Sequence, residues 1–314
     1  MGIRVLLVLG MFCSISLCTA QNSQYKDDFP DKITLRLALQ TTSNNFTLRD
    51  KITRNKTEFI PNDKSYLGLS ILFRFLEVDL GYAPNFLSEN KDNGDSKLIT
   101  FNIRTFFGQF MQTVDYYKQK GFFVRTQDIT LPVDDLKTLK IGGSSSYIFN
   151  PDFSFRAIGF QNEWQTQSVG SFIPSISYYY TKFKLEDPLI ENQLEKSFKV
   201  AVGPGYYYNW VFDENYLLSA GATGGLGFNY SSTDGKNSFN GLAQLVFRMT
   251  GGYNSESFFG GVNINTQLLS HTSDENFILD DSISFLEFYV GYRFDAPKKW
   301  IAKADEISRK LGIE

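Results

Sequence analysis

The sequence holds only two cysteines, Cys13 and Cys18, and a single histidine, His271. Both cysteines fall in residues 1–20, where Arg4 gives a positive start, Val5 to Phe12 an apolar core, and Cys18-Thr19-Ala20 a small-residue cleavage site. That is the pattern of an export signal. Its removal is expected to leave no disulfide, no thiolate nucleophile and no cysteine metal ligand. Leu17 before Cys18 and Phe12 before Cys13 are not the small residues of a lipoprotein signal, which argues against a lipid anchor. Also missing is any apolar run of about 20 residues, the length a membrane-spanning helix needs, so helical insertion is excluded. With 31 basic against 34 acidic residues and a pI near 5.4, no basic stripe stands ready to neutralise phosphates. Nucleic acid is therefore not an expected partner. No Pro/Ser-rich linker divides the chain, and one domain is expected over residues 31–296, between a lead-in at 21–30 and a tail at 297–314. The glycines from Gly221 to Gly227 lack a following Lys-Ser/Thr, so they do not form a phosphate loop, and no cofactor is expected.

What the chain does contain is 30 Phe, 17 Tyr and 25 Gly, a composition suited to pleated surfaces and tight turns. A period of two recurs from end to end, and this spacing sends neighbouring side chains to opposite faces of a strand. Ile33, Leu35, Leu37 and Leu39 alternate with Thr34, Arg36, Ala38 and Gln40; Leu76, Val78, Leu80 and Tyr82 alternate with Glu77, Asp79, Gly81 and Ala83. Val200, Val202, Pro204, Tyr206, Tyr208 and Trp210 form another apolar row, opposed by Lys199, Ala201, Gly203, Gly205 and Asn209. The same scheme runs from Leu286 to Phe294, opposed by Glu287, Gly291 and Arg293.

A soluble sandwich would alternate too. Segments of about 10 residues or more, aromatic clusters such as Tyr178-Tyr179-Tyr180 and Tyr206-Tyr207-Tyr208, and polar faces rich in Gly, Ser, Asn and Gln favour a membrane barrel with a hydrated interior. The fold class expected is all-β, an antiparallel up-and-down transmembrane β-barrel of about 12 strands with a short C-terminal amphipathic helix, since bacterial barrels normally have even strand numbers. Thirteen candidate segments can be drawn, among them Leu136 to Phe149, Phe153 to Thr166 and Ser171 to Phe183, so one is surplus; the pattern is least regular over Gln165 to Lys196. Asn150-Pro151-Asp152 and Asn254-Ser255-Glu256 read as short turns toward the periplasm, and Ser43 to Asp63, Ser88 to Ser96, Thr126 to Asp135 and His271 to Asp281 as outer loops. Trp300, Ala304, Ile307 and Leu311 recur at helical spacing before Gly312, as a helix covering the rim, or one acting as a plug or on the membrane surface.

Candidate chemistry is sparse. His271 lies beside Ser270 and near Asp274, superficially a hydrolase triad, but triads are defined by geometry, and an ordinary surface histidine in a loop is the expectation. Asp274, Glu275, Asp280 and Asp281 could offer carboxylates to calcium; without regular ligand spacing around a glycine they read as a solvated acidic loop, and no metal is expected. The polar faces carry charges of both signs: Arg36, Arg74, Glu77, Asp79, Arg104, Asp115, Arg248, Glu287 and Arg293, with Gln161 and Glu163 in the segment Gln161-Asn162-Glu163-Trp164-Gln165. These eleven residues form a candidate lumenal polar network, either paired across the interior or lining a solute path. Gln161 and Glu163 share a face and read as an interior hydrogen-bond anchor.

Asp31-Lys32-Ile33-Thr34-Leu35-Arg36, Gln161-Asn162-Glu163-Trp164-Gln165, Gly170-Ser171-Phe172 and Gly203-Pro204 together resemble a Bacteroidota barrel family that carries only a domain-of-unknown-function label. The resemblance spans Asp31 to Phe294. It implies an outer-membrane setting and brings no activity, ligand or catalytic residue. The reading expected is a non-enzymatic, porin-like outer-membrane barrel, either a small pore or a surface scaffold. Its partners would be outer-membrane lipid, the barrel-assembly machinery, and a small solute or surface ligand of undefined chemistry. A barrel hydrolase with His271 as base and a soluble periplasmic β-protein are the alternatives.

Overall fold

The computed structural model describes residues 25–61, 65–84, 86–87, 97–127, 129–159, 162–187, 190–233, 235–272 and 276–311. The expected export signal, Gln161, Asp274 and Glu275 lie outside them. The strands are β1 (Lys26–Asp28), β2 (Lys32–Asp50), β3 (Lys56–Pro61), β4 (Ser65–Phe73), β5 (Leu76–Tyr82), β6 (Lys97–Phe107), β7 (Phe110–Arg125), β8 (Thr130–Tyr147) and β9 (Glu163–Gln165). They continue with β10 (Val169–Phe172), β11 (Ser175–Asp187), β12 (Ile190–Gly203), β13 (Gly205–Phe212), β14 (Tyr216–Thr233), β15 (Lys236–Asn254), β16 (Phe258–Thr272) and β17 (Phe277–Asp295), followed by the helix α1 (Lys298–Leu311). No helix among the described residues is long and apolar enough to cross a membrane.

All wall pairings are antiparallel, and β17 pairs with β2 over its full length, so the sheet closes on itself. Two wall strands are each drawn as two pieces because of proline. Phe172 faces Tyr206 and Ser175 faces Gly203 in one unbroken register, which leaves Pro174 opposite Pro204. Each proline still accepts through its carbonyl, from Tyr147 N (3.2 Å) and Gly224 N (3.1 Å), but has no N–H to return. Counting β10–β11 and β12–β13 as single strands gives a ring of 12, the expected even number. At the end away from the termini β3 pairs directly with both β2 and β7, so there the wall closes past β4, β5 and β6.

Side-chain polarity is inverted relative to a soluble core. Outward residues include Leu37, Leu39, Val202, Tyr206, Phe288 and Val290, with Leu226 76 % exposed, while the inward Asn209 and Asn229 are fully buried. Phe101, Tyr116, Ile141, Tyr180, Phe198 and Tyr230 follow one another in register across the outer face. Nearer the termini, Phe107, Phe110 and Tyr147 do the same, as do Phe212, Tyr216 and Tyr253. Apolar outer faces bounded by aromatics at both ends are what a bilayer requires of a barrel.

Inward, three large rings lie over glycines directly opposite them in register: Tyr207 over Gly221, Phe259 over Gly291 and Tyr179 over Gly142. A Cβ at any of the three would strike the ring. Glycine is used here for space.

Several expectations are corrected. Phe153 to Thr166 is not a wall strand but an inward-folded segment, and it was the surplus. The stretch Ser43 to Asp63 is mostly strand, because β2 runs to Asp50 and β3 follows. Thr126 to Asp135 and His271 to Asp281 are likewise largely taken up by β8, β16 and β17. Beyond the apolar belt the outer residues turn polar, so alternation fades while the backbone pairing continues. Helix α1 packs Trp300 against Phe73 (ring centroids 6.3 Å apart) and ties Asp305 to Arg74 (2.9 Å), which holds it on the termini rim. Replacing Gly291 with valine is expected to unseat Phe259 at a cost of about 2 kcal/mol, as overpacking does. The measurement is the temperature at which the compact cold-SDS gel band is lost, and an unchanged temperature would refute the seating.

Candidate functional site

The chain between β8 and β10 turns into the barrel at the termini end. Asn150 starts the turn, its side-chain oxygen accepting from Asp152 N (3.1 Å) while its amide donates to the Gly170 carbonyl (2.9 Å). Ser154 then caps a 3-10 turn over Arg156–Gly159 by accepting from Ala157 N (2.9 Å). That turn drives Phe155 and Ile158 into a buried cluster with Phe106, Met111, Ile173 and Tyr207 from the wall. Ala157 enters a second cluster with Leu217, Phe259 and Tyr289. The segment is a plug.

Polar groups fix its position. Gln165 accepts from Ser154 N (2.8 Å) and from Asn209 of the wall (3.1 Å), and donates to the carbonyls of Tyr25 (2.7 Å) and Asp152 (2.9 Å). Asn162 donates to the Arg74 carbonyl (2.7 Å), and Trp164 to the Glu214 carbonyl (2.8 Å). Strand β1 pairs with β9, so the N-terminal lead-in is woven into the plug. Glu163 accepts from Ser154 Oγ (2.6 Å) and Arg156 (2.9 Å). Burial by itself would push this carboxyl up, but Arg156, then Lys26 and the hydrogen bonds, outweigh it and hold the carboxyl below its usual range.

Past the plug lies a polar cavity of about 190 Å³, and most of the expected lumenal charges converge on it. Arg36 reaches Asp79 (3.4 Å), Glu287 (3.4 Å) and Glu77 (3.9 Å), and donates to Ser70 Oγ through Nη2 (2.9 Å). Arg104 donates to the second oxygen of Glu77 (2.7 Å). Asp115 accepts from Tyr179 (2.8 Å). Arg248 lies over the ring of Phe155 (5.3 Å), joining the cavity wall to the plug by a cation–π contact.

Not every expected residue is there. Arg74 sits in the turn between β4 and β5, where it pairs with Asp31 (3.0 Å) and Asp305 (2.9 Å) on the rim rather than in the lumen. Glu163 belongs to the plug. Arg293 is 1 % exposed beneath the plug's base, between the rings of Phe29 and Phe259, and donates to Asn254 (2.9 Å).

A second charged layer lies farther from the termini. Lys140 and Lys199 donate to the two oxygens of Asp281 (2.7 and 2.9 Å), all three wholly buried. Beyond it, Phe46, Phe122, Val133 and Leu136 fill the lumen with apolar side chains. Sequence reasoning missed this layer. Alternation puts Lys199 on a polar face, but Asp281 falls where the sequence reads a loop. His271 is also corrected: it is a buried inward residue of β16, not a surface loop residue. Ser270 is its neighbour on the opposite face and donates to Asp280 (2.6 Å), so Ser270 and His271 cannot act together. Asp280 and Asp281 diverge in the same way and cannot share one ion.

These features define a class, a closed 12-stranded transmembrane β-barrel with an internal plug and a charged lumen. The chain belongs to the domain-of-unknown-function family DUF4421, whose family model matches residues 21–294. No curated protein matches the sequence. Among solved structures it is similar to the outer membrane protease OmpT of Escherichia coli, at 8 % identity and a TM-score of 0.42 over 85 % of this chain and 98 % of that one. It is also similar to an outer membrane channel of Pseudomonas putida F1, at 10 % identity and a TM-score of 0.41 over 86 % of this chain and 98 % of that one.

Replacing Asp281 with leucine leaves two buried ammonium groups unpaired and is expected to cost about 3–5 kcal/mol. Adding Lys140→Met and Lys199→Met should restore most of it, as read by thermal loss of the compact gel band; no recovery would mean the layer does not act through charge. The Glu163 carboxyl, lowered in the folded state, contributes stability that is present above its unfolded value and lost as pH falls through the folded one. Protection of the plug amides, relative to their intrinsic exchange rate at each pH, should therefore fall below about pH 4, and Glu163→Gln should remove that pH dependence.

Proposed function

We propose that this chain is an integral outer-membrane β-barrel, non-enzymatic, whose lumen is closed at rest and whose role is that of a scaffold. The plug and termini would face the periplasm. The observation that carries this reading is the inverted polarity of the ring, apolar outside and charged within. A soluble β-protein would expose large aliphatic and aromatic rows to water, well beyond the apolar patches soluble surfaces tolerate. Closure is supported by the plug at one end, apolar packing at the other, and ion pairs spanning the space between them. The separation of Ser270 from His271 supports the non-enzymatic reading.

A gated solute path is the second reading, favoured by the cavity and by the cation–π contact through which Arg248 meets the plug. Membrane-fraction protein is expected to run as a compact band in cold SDS and to shift on boiling. In a planar bilayer it should show no steady conductance. Phe155→Ser combined with Ile158→Ser should produce frequent conductance steps if the plug is what closes the lumen. Recovery of the protein in the soluble periplasmic fraction, with no heat-dependent shift, would remove the barrel reading; steady conductance of the unaltered protein would remove the closed one.

A further inference from the structure

Two of the charges that line the polar cavity stand apart from the ion pairs around Arg36. Arg36 reaches three carboxylates and Arg104 takes Glu77, so Glu77, Asp79 and Glu287 are all met by guanidinium groups. Arg248 has no such match. Among the described residues none accepts a hydrogen bond from it, no carboxylate lies within 4.0 Å, and its Nε is buried without a partner. Its contact with the Phe155 ring (5.3 Å) engages the face of the guanidinium and leaves the N–H edge without an acceptor. Asp115 is the converse. It is met by neutral groups, the Tyr179 hydroxyl (2.8 Å) and the Asn102 amide (3.2 Å), with no cation within 4.0 Å among the described residues. Their strands, β7 and β15, stand on opposite arcs of the ring, separated by β8, β10–β11, β12–β13 and β14 on one side and by β16, β17, β2, β4, β5 and β6 on the other. One cavity thus presents an unmatched cation on one wall and an unmatched anion on another, too far apart to pair.

We propose that this cavity binds a small amino acid, its carboxylate on Arg248 and its ammonium on Asp115, an inference that rests on the closed-barrel reading above. A guanidinium presents a planar fork that matches a carboxylate, and a charge in a protein interior is costly until it is both paired and hydrogen-bonded. Water can accept from Arg248 but brings no charge. A bare anion would answer Arg248 while adding to the carboxylates of Glu77, Asp79, Asp115 and Glu287 already grouped there. A bare cation would answer Asp115 and leave Arg248 as it is. A ligand carrying both charges meets both walls and leaves the charge balance of the cavity unchanged. Space agrees, since the cavity of about 190 Å³ exceeds the roughly 150 Å³ in which an engineered protein cavity holds benzene. Asn265, which faces Arg248 in register on β16, keeps a buried Oδ1 without a donor and offers an acceptor to a further ligand N–H.

The test heats the full barrel in detergent with glycine or 4-aminobutanoate, which hold the two charges close together or farther apart, and with the single-charge counterparts acetate, methylamine, butanoate and butylamine. The readout is the temperature at which the compact cold-SDS band is lost, followed against ligand concentration, because a ligand that binds only the folded state raises it by mass action. At least one of the two amino acids should raise it saturably, and none of the counterparts should do so at the same concentration. Arg248→Met, which keeps an apolar stem over Phe155, and Asp115→Asn should each shift the protecting concentration upward at least about thirtyfold, as loss of one partner of a buried charge pair does. After refolding with the radiolabelled amino acid, the label should co-elute with the barrel from a sizing column. Protection by a carboxylate alone would assign the cavity to an anion, protection by an amine alone to a cation, and no protection by either amino acid to water; each result overturns the proposal, as would undiminished protection of the two variants. If a variant loses its compact band, the comparison of compounds on the unaltered protein still decides. Protection without co-elution would uphold the site and overturn the closed lumen, whereas a missing compact band without any additive would overturn the barrel, so the failures are distinguishable.

Discussion

Everything in this molecule follows from the need to pair every wall N–H and C=O without water. In a hydrocarbon setting each unpaired backbone group costs several kcal/mol, and a sheet escapes that cost only by closing on itself. The full-length pairing of β17 with β2 is that closure. Once the ring is shut, its two faces have opposite tasks: one meets lipid, and the other must fill a tube too wide for the wall side chains to occupy unaided. The plug, the layered ion pairs and the rings seated on glycine are three solutions to the second task. The two prolines mark how much slack the first allows. Each gives up one ladder bond, and they do so at the same level of adjacent strands, so the register survives on both sides.

Filling a tube with charge is only sound where the charges meet. Arg36 spans three carboxylates, and Asp281 is bracketed by two ammonium groups, so the central charge of each layer has opposite charges within 4.0 Å. Each layer joins strands from distant parts of the chain: β2 with β5 and β17 in the first, β8 with β12 and β17 in the second. Such pairs need not stabilise the fold relative to apolar substitutes, but they penalise any slip of register, because a one-residue shift would turn every charge toward lipid.

The wall was legible because a lipid-facing strand obeys one rule along its length. The row from Val200 to Trp210 was read correctly on both faces, and even Pro204 fell on the exposed side where the sequence put it. The plug was not legible. Phe153, Phe155 and the motif around Trp164 mimic the spacing of a wall strand, since a segment packed inside a barrel also alternates between groups that fill space and groups that make hydrogen bonds. His271 and Asp281 failed for the opposite reason. Past the belt the outer residues become polar, the contrast between faces disappears, and a strand looks like a loop. Of the candidate site, the charges around Arg36 were readable from a single strand face each. Their pairing, and the Lys140, Asp281 and Lys199 layer, depended on a closure that no local pattern encodes.

The plug's construction bears on how the lumen could ever open. Its apolar side, Phe155 and Ile158, faces the barrel interior, whereas hydrogen bonds on its other side run to Tyr25 of the lead-in and to the rim at the Arg74 turn and Glu214. Apolar packing resists displacement in every direction, while rim hydrogen bonds can be exchanged for water as the segment leaves toward the termini side. Toward the other end it would meet the charged layers and then the Phe46 and Phe122 cluster. Movement is therefore asymmetric: the segment could leave by way of the termini rim, where β1 already holds β9, but it could not pass through the barrel. A force or partner acting on the lead-in strand would act on the plug directly, because the two are hydrogen-bonded as one small sheet.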